Sequence, residues 1–413
     1  MQIGVPYGKG KQSVELADRN LGDIVYPKEL PTFDEMKVLD EAIHSPLDSP
    51  SLKDFLQRCG RLLVIVNDAT RPTPSGKVLR RIWPLLEDVQ AEYLIATGMH
   101  REPSEDEYEF IFGDMYPTIK DRVSAHDSKK DEMVSFGTSK SGTPLLLNKK
   151  VADADGIIVI GSVEPHYFAG YTGGRKAFLP GVSAYETIEN NHRHAVRIEA
   201  QALRLDGNPV HEDMMEMVEA LADKPIFSIM VVLDRDHRMC AASAGDLDRS
   251  FHECRKMADQ VFVVELKEKA DVVVAVTSFP YDIDLYQSQK ALDNAKYAVR
   301  DGGVIILVSA CRKGVGADTF LKLLSSASTP KDALDQIAKS YKLGYHKAAK
   351  MAEIGLKGKM FAVTGLDPDI AMKAHMVPYK DLQSAVDAAI SELGPDSKVT
   401  FIMDAVITVP VIR

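Results

Sequence analysis

Cysteine is scarce in this chain of 413 residues: Cys59, Cys240, Cys254 and Cys311 stand far apart and form no C-x-x-C pair. That spacing excludes a disulfide framework and a thiolate zinc site, and it suits a reducing compartment. Tryptophan is scarcer still. Trp83 stands alone, so tyrosine and phenylalanine carry the aromatic surface. Positive charge is in deficit, with 50 Lys and Arg against 60 Asp and Glu, a formal charge of −10 and a pI near 5.6. An acidic chain argues against nucleic acid or an anionic membrane as partner. It leaves small anions open, because one or two well-placed cations bind a carboxylate. Apolar runs all fall short of the ~20 residues that span a bilayer. The start, MQIGVPYGKGKQSVEL, lacks the basic end, apolar core and cleavage site of a secretory signal. The expected location is the cytoplasm.

What is present is ordinary globular material, 45% hydrophobic and 27% charged. At roughly 150 residues per domain, two domains are expected. Short β-branched runs recur: Leu62–Val66, Glu92–Ala96, Gly156–Ile160, Phe227–Leu233 and Val261–Leu266. They lack strict alternation, as strands covered on both faces do. Ser75–Leu86 and Pro103–Phe112 read as helices between them. A second series follows: strands at Val272–Val276, Val304–Val308, Met360–Thr364 and Lys398–Met403, with helices at Leu285–Arg300, Lys331–Met351 and Leu382–Leu393. Gly302 and Gly303 read as a helix stop. The alternation predicts an α/β fold of two domains, 1–268 and 269–413, each with a mainly parallel sheet flanked by helices and with the active site in the cleft between them. The tail, ITVPVIR, is a candidate to return to the first domain.

Ligands of open α/β sheets bind beyond the carboxyl ends of the strands. After the first run come Asp68, Arg71, Thr73 and Pro74. Thr73 as helix N-cap with Pro74 behind it would put Arg71 at a helix N-terminus, an anion site; the alternative is a capped turn with a surface arginine. After the second comes Thr97-Gly98-Met99-His100. His100 just before a helix is biased toward neutral imidazole, or it is structural. After the third comes the longest and most glycine-rich loop, Gly161–Gly181, with Glu164, His166, Thr172, Gly173, Gly174, Arg175 and Lys176. Its glycines permit close backbone approach, and its two cations suit phosphate or carboxylate. It is no Walker motif, and a complete G-x-G-x-x-G is absent from the chain; Gly8-Lys9-Gly10 is a partial match before any clear strand. Ser183 and Glu186 form a capping-box pattern for a helix that carries His192 and His194 on different faces. In the second domain Asp284 is a candidate N-cap, and Gln287 and Lys290 share one helix face, either as anion-facing groups or as an ordinary solvated face.

Together these segments resemble the nickel-dependent lactate racemase family, whose members carry a nickel-pincer nucleotide. The resemblance covers nearly the whole chain. It rests on DATRP at Asp68–Pro72, TGxH at Thr97–His100, EPHYFAGYTGGRK at Glu164–Lys176, His192, and QSQK at Gln287–Lys290. It implies that Lys176 holds the cofactor covalently and that His192 ligates nickel. It implies acid/base roles for His100 and His166, and carboxylate binding by Arg71 and Lys290 with Asp68 and Gln287 nearby. Thr172, Gly173, Gly174 and Arg175 would hold the cofactor phosphate, and separate biosynthetic enzymes would supply the cofactor.

The chemistry asks for the same groups. Taking a proton from the α-carbon of a 2-hydroxy acid is hard beside an anionic carboxylate. Removing hydride instead gives a 2-keto acid that can be reduced again from the other face. That route needs a hydride acceptor, a base for the hydroxyl proton on each side, and a fixed carboxylate. A four-coordinate, roughly planar site suits nickel. One departure stands out. The family's lactate enzyme lines its pocket with a second-domain tryptophan, whereas Trp83 lies in the first domain. The matching stretch, Leu343–Ala348, offers Tyr345 or His346, which suggests a substrate richer in oxygen than lactate, such as malate or a sugar acid. Two other readings compete: an NAD-dependent 2-hydroxyacid dehydrogenase, disfavoured by the missing glycine fingerprint, and a non-catalytic carrier of cofactor or nickel, which needs no pair of histidines. His126, His211, His237, His252 and His375 read as surface or structural, and Cys311 as a buried small hydrophobe.

Overall fold

The computed structural model describes residues 1–31 and 34–413. The chain divides into two compact units, Glu29–Val261 and the combination of Met1–Lys28 with Phe262–Arg413. This differs from the expected division into 1–268 and 269–413. The hairpin Gln2–Tyr7/Gly10–Glu15 and the strand Leu21–Val25 fold with the C-terminal half. Leu21–Val25 pairs in parallel with Val399–Ile402, and Ile3, Val5, Val14 and Leu16 enter the core of that unit. These strands are short, and one face of the hairpin is polar, so they give a weak apolar signal. Gly8 and Lys9 form the hairpin turn, which accounts for the partial glycine motif.

The unit Glu29–Val261 is built on a six-stranded sheet. Its order is Met239–Gly245, Ile226–Leu233, Gly156–Ser162, Leu62–Asn67, Ala91–Ala96, Val123–Ala125. Every neighbouring pair is parallel except the first. The Gly156–Ser162 strand is buried along its whole length, which is why its sequence reads as an unbroken apolar run. Helix Ser75–Leu86 buries Val78, Leu79, Ile82 and Leu86 against Val64, Val66, Tyr93 and Ile95. That stripe follows the helical period. Helix Glu105–Phe112 starts two residues later than expected, at a capping box of Ser104 and Glu107.

The other unit has an all-parallel sheet in the order Val377–Pro378, Lys359–Thr364, Val299–Ser309, Ala270–Val276, Val399–Ile402, Leu21–Val25. The tail strand Val409–Ile412 pairs with Val263–Leu266 and so stays in its own unit. Val261 and Phe262, expected in that strand, finish helix Leu247–Phe262. The helix expected over Leu285–Arg300 ends at Ala295, and Val299–Ser309 is one long strand. Gly302 and Gly303 lie inside this strand where its register slips, and Gly302 takes φ +77. They mark a bulge and not a helix stop. The helix expected over Lys331–Met351 is two, Pro330–Lys339 and Tyr345–Lys357, separated where Gly344 adopts φ +100.

Candidate functional site

Three neighbouring parallel strands, Gly156–Ser162, Leu62–Asn67 and Ala91–Ala96, deliver the singled-out segments from their carboxyl ends. Asn67 ties two of these ends together. Its Oδ1 accepts the Thr73 hydroxyl at 2.9 Å and the Ser162 N–H at 3.2 Å. Thr73, expected as an N-cap, is used for this link, and helix Ser75–Leu86 begins without a side-chain cap.

Asp68 and His100 meet here. The Nδ1–H of His100 donates to Asp68 Oδ2 at 2.6 Å. Burial pushes the Asp68 carboxyl up, but the His100 charge, hydrogen bonds from His100 and Thr70, and nearby Arg71 outweigh it and hold it below the usual carboxylate range. An ionised Asp68 holds a proton on Nδ1, so in the neutral imidazole Nε2 has the lone pair. The His100 side chain remains 37% exposed, so a ligand can reach it. Arg71 forms an ion pair with Glu164, Nη1 to Oε1 at 2.9 Å, and both side chains are largely buried. Glu164 was not singled out for its acidity in the sequence, although it stands two residues before His166.

The long loop folds back on itself. Pro165–His166 pairs with Gly170–Tyr171, and His166 Nδ1 accepts the Ala169 N–H at 3.3 Å. In neutral imidazole that places the proton on Nε2. As neutral imidazoles, His100 and His166 thus carry their protons on different ring nitrogens, Nδ1 and Nε2. Phe168 is the hub of the remaining groups. Its ring lies edge-on to His166 at 4.6 Å and to His192 at 5.0 Å, with Lys176 Nζ 5.6 Å from its centre. The sequence reading overlooked Phe168, although an aromatic between a histidine and a lysine in a glycine-rich loop was a signal available to it.

His192 is buried on helix Tyr185–Arg193, and its Nδ1–H donates to Asn191 Oδ1 at 3.1 Å. The expected capping box before this helix does not form. Ala184 is the N-cap, and the Ser183 hydroxyl donates to the Phe178 carbonyl at 2.8 Å. Burial pushes the neighbouring His194 down, favouring its neutral form.

The loop residues expected at a cofactor phosphate serve the loop itself. Arg175 is buried and donates to the carbonyls of Ala169 at 2.8 Å, Tyr171 at 3.0 Å and Gly173 at 3.3 Å, with its guanidinium 4.4 Å from the Phe251 ring centre. Burial pushes its pKa down to about 9, with Asp248 opposing. The Thr172 hydroxyl donates to Ser162 O at 3.0 Å and accepts the Glu164 N–H at 3.0 Å. At Gly173 (φ +81) a Cβ would stand 2.7 Å from Val163, and at Gly174 (φ +53) 3.0 Å from Phe251. Positive φ and close packing together favour glycine at both positions.

In the other unit, Asp284 caps helix Leu285–Ala295 by accepting the Gln287 N–H at 2.8 Å. Lys290 Nζ donates to Gln287 Oε1 at 2.6 Å. Lys347 is buried against Tyr286, donating to its carbonyl at 2.9 Å with Nζ 3.9 Å from the ring centre. Burial and then the Lys290 charge push its pKa well down. Tyr345 opens its helix half-buried, while His346 is turned inward and pairs through Nδ1 with the Tyr341 hydroxyl at 3.0 Å. Of the two side chains expected to face substrate, Tyr345 is the accessible one. Cys311 is buried against Ser309.

These residues fit a lysine-tethered group that brings its own metal donors. Lys176 and His192 flank one phenyl ring, and among the described residues no cluster of three or more His, Cys, Asp or Glu could hold a metal ion. Nickel here would therefore draw most of its donors from the group. The two Nη atoms of Arg175 are engaged by the loop carbonyls, while its buried Nε has no hydrogen-bond partner among the described residues.

Comparison with known proteins places the chain among isomerases of the racemase class. Residues 7–203 match the lactate racemase N-terminal domain, and residues 265–411 the lactate racemase C-terminal domain. The lactate racemase of Thermoanaerobacterium thermosaccharolyticum is 30% identical over 98% of each chain, and that of Lactiplantibacillus plantarum 30% over 97% of this chain and 98% of its own. The chain belongs to the lactate racemase family. Its structure resembles the lactate racemase apoprotein from T. thermosaccharolyticum, with a TM-score of 0.92 and 29% identity over 99% of this chain and 100% of that one. It shares its fold with a Thermotoga maritima protein at a TM-score of 0.73 and 17% identity, covering 92% and 98% of the two chains. No described helix is long and apolar enough to cross a membrane.

Proposed function

We propose that this isomerase racemises or epimerises a small 2-hydroxy acid by reversible hydride transfer through a 2-keto acid, with a nickel-pincer nucleotide as cofactor. Lys176 would hold that group covalently and His192 would ligate its nickel; when bound, the group supplies the hydride acceptor. The observation that carries the reading is the Asp68–His100 pair, which orients His100 as a base, with His166 as its acid partner. His100, oriented by Asp68, enters with a lone pair on Nε2 and takes the hydroxyl proton from one enantiomer. His166 would enter as the imidazolium, give its Nε2 proton to the oxygen on the opposite face, and become the neutral imidazole whose Nδ1 accepts the Ala169 N–H. After a turnover the two have exchanged states and are ready for the reverse reaction. A carrier needs neither state.

Arg71 is assigned to the substrate carboxylate and exchanges that partner with Glu164. Lys290 and Gln287 are assigned to further substrate oxygens, and Tyr345 to specificity. An amine, an amide and a phenol favour a polar substrate such as malate or a sugar acid over lactate. Thr172, Gly173, Gly174 and Arg175 are assigned to the rigidity of the loop that presents Lys176. The test is co-expression with the cofactor-making enzymes, peptide mapping at Lys176, and interconversion assays on lactate, malate and gluconate. We expect a nickel-containing adduct on the Lys176 peptide, absent in Lys176→Ala, and faster turnover of malate or gluconate than of lactate. An unmodified Lys176, or a loaded protein that inverts none of the three, overturns the reading. Lactate as the fastest substrate overturns its polar-substrate part alone.

A further inference from the structure

We propose that Asn191 and Asp213 are positioning residues that force His192 to carry its proton on Nδ1, so that Nε2 presents the lone pair that nickel takes. The inference rests on the reading of His192 as the nickel ligand. It comes from a buried hydrogen-bond network that neither the acid/base pair nor the lysine tether uses.

Asp213 lies on helix Pro209–Glu219 and is buried, as is Asn191. Asp213 Oδ1 accepts the hydroxyls of Ser139 at 2.5 Å and Ser141 at 2.6 Å. Both serines belong to the turn between the strands Met133–Thr138 and Pro144–Asn148, where Gly142 N–H donates to Ser139 O at 2.9 Å. Asp213 Oδ2 accepts one N–H of the Asn191 amide at 2.9 Å, and the other donates to the Val210 carbonyl at 3.1 Å. Both Asn191 donors therefore face groups that can only accept. Rotating the amide by half a turn would set its oxygen against a carboxylate and a carbonyl, which excludes the flipped form. Asn191 Oδ1 is left facing His192 Nδ1 at 3.1 Å, and an amide oxygen there demands an N–H. Neutral imidazole then has its lone pair on Nε2 alone. Phe168, edge-on to His192, fixes the plane of the ring.

A ligand histidine is commonly held this way, by an acceptor on its second nitrogen, and loss of that acceptor typically lowers metal affinity 10–100-fold. Here the acceptor is itself fixed by a carboxylate that a hairpin turn holds from the far side. A network that merely packed helix Tyr185–Arg193 against helix Pro209–Glu219 would not select between the two nitrogens.

The test begins with long-range 1H–15N NMR on apoprotein labelled in its histidines, with His192 assigned by loss of its signals in His192→Gln. We expect protonated Nδ1 and unprotonated Nε2 in the wild type. Asn191→Leu should shift His192 toward the Nε2–H form, and Asp213→Asn should do so partially. In cofactor-loaded protein, nickel loss to EDTA should be roughly 10–100-fold faster in Asn191→Leu, with the amount of Lys176 adduct unchanged. A wild-type His192 protonated on Nε2 overturns the inference without any variant. So does an Asn191→Leu protein with wild-type tautomer and nickel retention. If Asn191→Leu fails to fold, the milder Ser139→Ala/Ser141→Ala pair carries the same comparison. If His192→Gln keeps its nickel as wild type does, the assignment of His192 as ligand fails instead, and the two failures are told apart.

Discussion

His100 donates from Nδ1 to a buried Asp68 at 2.6 Å, and this one bond decides which nitrogen of a neutral His100 is left with the lone pair. Replacing Asp68 with asparagine keeps the shape but lets an amide N–H face the ring, which reverses the tautomer. Racemisation kcat should fall roughly 100- to 10,000-fold, with KM changed far less. Initial rates of both enantiomers, followed by polarimetry, give the comparison. A rise in KM alone, with kcat unchanged, would mean that Asp68 binds substrate and does not orient His100.

The same pair makes stability depend on pH in a defined direction. The folded-state pKa of Asp68 lies below its ordinary 3.8, so the unfolded chain binds the proton first as pH falls. The ionised carboxylate therefore stabilises the fold fully above about pH 5, and that contribution is lost as pH falls through the lowered folded value. Urea unfolding of wild type and Asp68→Asn between about pH 7 and pH 3 should show the gap between them closing at the acid end. A gap that is constant across the range would refute the assignment.

Arg71 has two candidate partners, Glu164 in this structure and the substrate carboxylate during turnover. Lysine can satisfy Glu164 with one N–H but cannot reproduce the planar fork that grips a carboxylate at two points. Arg71→Lys should therefore raise KM about tenfold, near 1.4 kcal/mol, while the melting temperature stays close to wild type. An unchanged KM would assign Arg71 to Glu164 alone.

Much of this was legible because buried parallel strands write themselves as apolar runs, and because the groups at their carboxyl ends are chemically unusual. Arg71, His100, His166 and Lys176 could be picked out this way, whereas Asp68 and the role of His192 come from the family resemblance. What the sequence hid are relationships between distant residues. The Arg71–Glu164 pair spans 93 positions and the Ser139–Asp213 bond 74, and neither has a local pattern. Local rules also lost to tertiary ones: Ser183 and Thr73 matched capping patterns, yet each hydroxyl bonds elsewhere. For Arg175 the sequence pattern is ambiguous, because a cation beside a glycine-rich turn suits phosphate as well as it suits its own carbonyls.

That last case separates two roles cleanly. If Arg175 holds the loop, Arg175→Met should destabilise the apoprotein, with no cofactor present at all. Three carbonyls would lose their donor in a buried place, at a cost of about 2–4 kcal/mol. Lysine should not rescue it, since one ammonium cannot reach three carbonyls and lie over Phe251 as well. The surroundings give little electrostatic relief: burial, and then Arg175 itself, hold His211 down to about 3, so it stays neutral. Gly174→Ala should act in the same direction by about 1–2 kcal/mol, because its φ of +53 and the nearby Phe251 both resist a side chain. Denaturant unfolding of the apoproteins measures all three. Wild-type stability in Arg175→Met, combined with failure to load the cofactor, would return Arg175 to the phosphate and leave the loop to be held by Thr172 and its glycines.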